Sequence, residues 1–523
     1  MFRSPYPDEV IPNVSVFDFL FADLSAADSE RVALIDGPTG ATTTFGALVQ
    51  QIEGVAGALA ARGLGVGDVV ALHSANVPAF AAVFHGILRS GATATTLNAL
   101  YTAEEIETQL RDSGATFMFT LSVLYPQAKA ACDNLGIDAD HLVVLDGMEG
   151  HQSLRDLLGE GHAAPAVSFD PATHVAVMPY SSGTTGLPKG VQLSHRNLVA
   201  NVVQTYPVLD VVADDVVLAV LPFFHIYGMT VLLNIAIKKR ATLVTMPRFD
   251  LVLFLTLIQE HRCTYLFIAP PIAVALAKHP LIDEYDLSSV RAILSGAAPI
   301  GADLMAAVAT RLGARMRQGY GMSEASPVTH VHPPERDDLS MGSIGVPIAN
   351  TEIRLVSVDS GGDVELPADG VSEPGEIWVR GPQVMLGYLG REEATRETVD
   401  ADGWLHTGDI ATVGAKGEFY IVDRLKELIK YKGYQVAPAE LEALLLTHPD
   451  ITDAAVVGAT DEDGQEFPRA FVVRREGAEL DGPMVMDFVA EHVAPHKKVR
   501  EVEFIDVVPK SSSGKILRKD LRR

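Results

Sequence analysis

The stretch TYLFIAPPIAVALAKHPLIDEYDLSSVRAILSGAAPIGADLMAAVATRLGARMRQGYGMSE, residues 264–324, decides the fold. It opens on a short apolar run closed by two prolines (TYLFIAPP) and passes into a helical pattern (IAVALAKH). The unit then returns as VRAILSGAAP followed by IGADLMAAVATRLG, before ARMRQGYGMSE. A short apolar run bounded by turn residues reads as a buried strand, and apolar three- and four-residue steps read as a helix. Strand and helix in alternation predict a parallel sheet covered by helices.

The same alternation is present upstream. Phe45, Leu48, Val49, Ile52, Val55, Ala56 and Leu59 recur at helical spacing within residues 45–64, DVVALHSAN then reads as a strand, and PAFAAVFHGILRSG as a helix. Beyond about Gly342 the texture changes to GEIWVRGP, GWLHTGDIATVG and GEFYIVDR, short β segments with Gly-rich turns that predict a small β subdomain over about 342–423. A further pattern begins near Arg424, where LKELIKYKGYQVAPAELEALLLTHP precedes strand-like AAVVGA and AFVVRR and a helix in DGPMVMDFVAEHV. The expected fold class is α/β. A large N-terminal domain of helix-covered sheets with its β subdomain spans 1–423, and a small α+β C-terminal domain spans 424–523, with the boundary at 423–426.

Length agrees with this division, because 523 residues exceed one ordinary core. A formal charge of -26 repels nucleic acid and anionic lipid, so neither is an expected partner. Residues 491–523 run against that field, with nine Lys/Arg and five acids; the stretch is either a solvated basic tail or a local cation source for a polyanionic substrate. Cys132 and Cys263 stand far apart and outside any metal-ligand spacing, and read as free thiols of a cytoplasmic protein. The N-terminal ten residues carry acids and prolines where a secretion signal needs an apolar run. Residues 216–237 hold no Asp, Glu, Lys or Arg, yet Pro222, His225, Gly228 and Asn234 interrupt them, so they read as strand, loop and core helix rather than a membrane span.

The most specific motif is YSSGTTGLPKGV, residues 180–191. Glycine lets backbone N–H groups approach phosphate oxygens, hydroxyls add donors, and Lys189 supplies a compact positive charge. The spacing is not that of a Walker A loop, because Pro188 stands where glycine is needed and Gly190 follows the lysine. A plain flexible turn is the alternative.

SSGTTGLPKGV (181–191) resembles, residue for residue, the signature of the adenylate-forming superfamily of acyl-CoA synthetases, luciferases and peptide-synthetase adenylation domains, and particularly that of the 4-coumarate:CoA ligases. Further blocks similar to the family's stand in the family's order: LPFFHIYG (221–228), SGAAP (295–299), QGYGMSE (318–324), GEIWVRG (375–381), HTGD (406–409), VDRLKELIKYKG (422–433) and PKSSSGKI (509–516). The resemblance implies ATP-dependent conversion of a small carboxylic acid to an acyl adenylate, transfer of the acyl group to coenzyme A, Mg²⁺ on the phosphates, a mobile C-terminal domain, and a monomer or weak homodimer.

It also implies roles for individual residues. Lys515, in KSSSGK, falls at the place of the adenylation lysine; a solvated tail lysine is the alternative. Glu324, with Thr184 assisting, matches the Mg²⁺ position, although an acid after a turn is commonly a helix-start residue. Ser181, Ser182, Gly183, Thr184, Thr185 and Lys189 match the phosphate loop, and Ala297, Gln318, Gly319 and Ser323 the adenine and phosphate contacts. Asp409 and Arg424 match the ribose-binding pair, or form an ion pair between domains. The family hinge falls near Lys426; Lys430, Lys432 and Gly433 match the CoA entrance, Arg248 a contact to CoA phosphates, and Gln435 a contact to the adenylate. Lysines 426 and 430 are alternatively one solvated helix face.

His225 resembles the aromatic gate beside the carboxylate, where an isolated histidine is otherwise a hydrogen-bonded core residue, and Tyr227 could stack on a phenolic ring. Amino-acid-activating relatives carry an acid in this region, and FFHIYGMTVLLN has none, so an uncharged acyl chain is expected. Gly296, Ala297 and Ala298 leave room for a flat arylpropenoate, and Val231, Pro327 and Val328 supply apolar walls; 4-coumarate or a related hydroxycinnamate is the expected acid. Trp378 and Val379 depart from the plant GEICIRG block. A medium-chain fatty acyl-CoA synthetase or luciferase-like enzyme, transfer to a carrier protein, and a non-catalytic nucleotide sensor are the competing readings.

Overall fold

The computed structural model describes residues 1–181, 188–358, 360–431, 434–461, 466–511 and 514–522. Its largest sheet has nine strands, and the parallel run predicted from residues 264–324 lies at its centre. Strands Arg315–Gly321, Ala292–Ser295, Tyr265–Ile268, Val216–Ala219, Thr242–Thr245 and Val32–Asp36 follow one another side by side, each parallel to the next. The helices between them arise from the local sequence. Pro270–Lys278 starts on a proline pair whose missing N–H groups are unneeded in a first turn. Ala302–Leu312 ends at Gly313, which takes the left-handed conformation favoured after a helix.

A second sheet centres on Val69–His73, flanked in parallel by Thr93–Leu97 and Phe117–Thr120. Helices Phe45–Ala61 and Pro78–Ser90 pack on each other; Pro78–Ser90 lies against this sheet, and Phe45–Ala61 against Val32–Asp36 and Thr42–Thr44. Ten of the thirteen residues of Pro78–Ser90 are buried, so this helix is apolar all round and lies inside the principal core. Each fully buried Phe, Leu or Ile there contributes roughly 1.5–3 kcal/mol. Cys132 and Cys263 are free and buried, and burial pushes their thiols up to about 11 and about 12, which leaves them unreactive. Among the described residues no helix is long and apolar enough to cross a membrane.

Strands Glu352–Val356, Gly375–Arg380, Leu405–Val413 and Phe419–Arg424 form an antiparallel sheet. The stretch 342–423 is less self-contained than its texture predicts. Phe2–Arg3 closes one edge of this sheet, Val346–Pro347 joins the nine-stranded sheet, and Gly387–Tyr388 pairs with Lys189–Ser194 of the second sheet. Period-two patterning specifies a strand and not the edge it completes. Trp378 stacks on His406 with ring centroids 3.8 Å apart, on the face of this sheet.

Past Arg424 the chain forms a smaller α+β unit. Strands Ile451–Thr460, Glu466–Arg474 and Glu501–Phe504 share a core with helices Pro438–Thr447 and Gly482–His492. The helix reading of Lys426 and Lys430 is corrected here: residues 425–428 make a turn, and Ile429–Tyr431 pairs with Tyr434–Val436 as a hairpin. The β-branched and aromatic residues Ile429, Tyr431 and Val436 favour the pleated arrangement.

Candidate active site

In parallel sheets, sites form beyond the carboxyl ends of the strands. Four such ends converge here. His225 follows the strand Val216–Ala219, Ala269 follows Tyr265–Ile268, Gly296 follows Ala292–Ser295, and Gly319 to Glu324 close Arg315–Gly321. One cavity is lined by His225, Tyr227, Val231, Gly296 and Ala297. Gly319, Ser323, Pro327, Val328 and the incoming Lys515 also line it. Ala298, Gln318 and Arg248 stand outside this lining. Gln318 is buried and donates to the carbonyls of Ile300 and Met341, Ala298 is half-buried beside the cavity turn, and Arg248 is exposed before the helix Leu251–His261.

One end of the cavity is shaped by a wide helix. Tyr227–Asn234 is π-helical, and the N–H of Ile235 reaches back five residues to the Thr230 carbonyl. Such turns recur at functional sites. They aim Tyr227 and Val231 into the cavity, and the Tyr227 hydroxyl donates to the Leu294 carbonyl at 3.4 Å. The tyrosine ring fills the space beside Gly296: a Cβ there would stand 2.7 Å from Cε1 of Tyr227. Ala297 follows with φ +72°, a left-handed conformation that few non-glycine residues adopt.

Lys515 reaches this end from the C-terminal unit. Its backbone is fixed by a Ser511 N–H bond to the Lys515 carbonyl at 2.8 Å and a Lys515 N–H bond to Ser511 Oγ at 3.1 Å. Gly514 turns the loop with φ +83°, and a Cβ at that position would already meet Ala269 at 3.2 Å. Burial lowers the Lys515 ammonium from its ordinary value; Arg424 lowers it further, while Asp409 and Glu324 act in the opposite sense. His225 is lowered to about 3 by burial and then by the charge of Lys515, so it is neutral at physiological pH; its Nδ1 accepts from the Tyr227 N–H at 3.3 Å.

Next to the cavity, behind Tyr320, lies a polar cluster. Asp409 and Arg424 are directly opposite on neighbouring strands of one sheet, with Arg424 Nε 3.3 Å from Asp409 Oδ1. Asp409 and Arg424 thus form an ion pair across neighbouring strands of one sheet. The Tyr320 hydroxyl donates to Asp409 Oδ2 at 2.5 Å, and each carboxylate oxygen keeps a lone pair for another donor. Glu324 is buried and accepts from the Tyr388 hydroxyl at 2.8 Å. The Lys189 ammonium sits 4.9 Å from the centre of the same tyrosine ring, a cation–π contact. Tyr180–Ser181 pairs with Lys189 and Gly190, so Ser181 and Lys189 face each other at the base of the 180–191 motif. Ser182, Gly183, Thr184 and Thr185 lie outside the described residues, as do Lys432, Gly433 and the side chains of Lys430 and Gln435. Lys426 is exposed in the turn after Arg424.

Sequence reading missed Tyr320, Tyr388, Leu209 and Met322. Leu209, Tyr320 and Met322 line the cavity. Tyr320 could have been found, since it stands between two glycines in the QGYGMSE block; Tyr388 and Leu209 carry no local signal.

If Lys515 acts through its charge, the first half-reaction is present below its pKa and is lost as pH rises through it. Acid-dependent pyrophosphate exchange is expected to show an alkaline limb at lower pH than an exposed lysine gives. Lys515→Arg, which does not deprotonate, should move that limb to higher pH. His225, already neutral, should contribute no limb near about 6.5. A pH–rate profile of exchange for the two proteins checks both expectations.

The description "AMP-binding enzyme" matches residues 21–389, and "AMP-binding enzyme C-terminal domain" matches 440–515. The chain is 43% identical to a 4-coumarate–CoA ligase 5 of Oryza sativa subsp. japonica, over 100% of this chain and 97% of that one. Its structure is similar to that of the anthranilate CoA ligase AuaEII in complex with anthranoyl-AMP, with a TM-score of 0.88 at 26% identity over 97% of this chain and 96% of that one. ATP-bound MatB from Rhodopseudomonas palustris superposes with a TM-score of 0.87 and apo MatB with 0.77, both at 28% identity over 98% of each chain. With both lobes matched and a plant ligase aligned end to end, the chain belongs to the adenylate-forming family of AMP-binding enzymes, in the group that holds the 4-coumarate–CoA ligases.

Proposed function

We propose that this protein joins a hydroxycinnamate, such as 4-coumarate, to coenzyme A at the expense of ATP, through an acyl adenylate. The observation that carries the reading is the convergence of Lys515, from the C-terminal unit, on a cavity lined by His225, Tyr227 and Gly296, within electrostatic reach of Asp409, Arg424 and Glu324. A carboxylate resists attack because its charge repels nucleophiles and its oxygen leaves badly. In the first step a carboxylate oxygen bonds to the α-phosphorus of ATP, and the bond to pyrophosphate breaks. Negative charge gathers where two anions meet, and Lys515 brings a positive group there out of bulk water. Neutral His225 adds no competing charge beside the carboxylate. In the second step the thiol sulfur of CoA bonds to the acyl carbon, and the C–O bond to AMP breaks.

Mg²⁺ fits the residues present. Glu324 is a single buried carboxylate with one oxygen held by Tyr388, and Mg²⁺ favours few protein oxygens among phosphate and water. Glu324, with Thr184, would hold it, and when bound it neutralises phosphate charge. Asp409 would accept from the ribose hydroxyls while Tyr320 and Arg424 hold its orientation.

The orientation described here we assign to the first step, and the better superposition on ATP-bound than on apo MatB supports that assignment. Residues 1–423 would form the N-terminal domain and 424–523 a rotating one, hinged near Lys426. Rotation would bring Lys430, Lys432 and Gly433 to the CoA entrance, with Arg248 on the CoA phosphates and Gln435 on the adenylate. We place the reaction in the cytoplasm, where Cys132 and Cys263 stay reduced.

A panel of hydroxycinnamates, benzoates and C6 to C10 fatty acids, assayed with ATP, Mg²⁺ and CoA for AMP release, tests the substrate class. The expected order places 4-coumarate and its relatives highest in kcat/KM. Higher values for the fatty acids would overturn the hydroxycinnamate assignment.

A further inference from the structure

We propose that Lys278 is a positioning residue which latches the C-terminal unit in the orientation that delivers Lys515, and so favours the adenylation step without touching substrate. The proposal rests on the two-orientation reading above.

The argument begins with one short helix, Pro270–Lys278, which contacts the C-terminal unit at both of its ends. At its start, Ala269 and Pro271 lie against Gly514, the residue before Lys515, at 3.2 Å and 3.5 Å from the position a Cβ would take. At its end, the Lys278 ammonium donates to the Leu446 carbonyl at 2.7 Å and to the Ile451 carbonyl at 3.1 Å. Leu446 lies in the last turn of helix Pro438–Thr447, where carbonyls lack partners within the helix and carry the negative end of its dipole. A cation there is in its favoured place. Nine residues separate the two contacts by about 13 Å. Contact at one point leaves a rotating body free to pivot; contact at two points along a rigid helix fixes its angle. Gly514 supplies shape at one point, and Lys278 supplies charge at the other. A third approach, Gly301 to Ala443, is apolar and lies on the same helix Pro438–Thr447. Lys278 is exposed enough to be substituted without disturbing a core, and burial lowers its ammonium first, with Arg475 adding to the effect; Arg475 is itself paired with Asp450.

The test uses the full chain with Lys278→Arg, Lys278→Met and Lys278→Glu, and compares two half-reactions: acid-dependent pyrophosphate exchange, and thioester formation from supplied coumaroyl adenylate and CoA. The ratio of exchange to thioester formation is expected to stay near the parent value for arginine. For methionine it should fall about three- to tenfold, the size of one ordinary net hydrogen bond, as fits an ammonium that is partly exposed. For glutamate, which repels the carbonyls, it should fall further. Thioester formation on the same preparations serves as the control for folding. Equal loss in both half-reactions, or an unchanged ratio in all three variants, would overturn the latch. Lys515→Ala run in parallel separates the two ideas. If it lowers exchange selectively while Lys278→Met does not, the latch alone fails; if it affects both half-reactions alike, the two-orientation reading fails and the latch with it.

Discussion

Lys515→Ala is expected to reduce acid-dependent pyrophosphate exchange by roughly 10²–10³-fold, the range observed when one preorganised donor is removed from developing negative charge. Thioester formation from supplied acyl adenylate should stay within about threefold of the parent, since the rotated unit would present another face by then. The reason lies in the surroundings of the side chain. Lys515 sits half-buried, where desolvation and Arg424 disfavour its charge and Asp409 and Glu324 oppose that effect, so the ammonium is worth more there than at an open surface. Lys432→Ala should show the opposite bias. Separate rates for the two half-reactions in both variants decide the matter, and a parallel fall in both would refute alternation.

Gly296→Val is expected to lower kcat/KM for hydroxycinnamates by about 100-fold while short aliphatic acids lose much less. A first Cβ at this position would stand 2.7 Å from Cε1 and 2.8 Å from Cζ of Tyr227, and 2.9 Å from its hydroxyl. The ring cannot retreat freely, because its hydroxyl bonds the Leu294 carbonyl and its backbone belongs to the buried π-helical turn. Overpacking of this kind disfavours the site by about 1–3 kcal/mol, and the branched methyls occupy space a flat ring would need. Gly296→Val combined with Tyr227→Ala should recover part of the aromatic activity, since the second change removes the clashing ring; the double-mutant cycle measures that coupling. Equal losses for aromatic and aliphatic acids would show that Gly296 acts on stability rather than on acid selection.

Local sequence was enough for the elements and for several side chains in the cavity. The alternation over 264–324 gave the central parallel strands because each strand and helix there is a contiguous segment with its own period and its own stop residues. His225, Gly296 and Gly319 were legible because they stand in the blocks LPFFHIYG, SGAAP and QGYGMSE, which resemble those of the family. Tyr388 was not legible. It acts on Glu324 and Lys189 only because the strand Gly387–Tyr388 completes the edge of a sheet built nearly 200 residues earlier. Lys278 reads in sequence as the last residue of an ordinary helix, and its partners are backbone carbonyls of another lobe, which no side-chain pattern encodes.

By itself the sequence determined the α/β class, the order of strands and helices and the identity of the charged groups, since these follow from spacing and side-chain chemistry along one segment. The tertiary structure alone decided that Asp409 and Arg424 face each other across a sheet, that Tyr227 takes the space beside Gly296, and that Lys515 arrives beside His225. Those are distances between segments far apart in the chain. They are set by which sheet edge each strand finds and how the second lobe docks, and packing, rather than local propensity, fixes both.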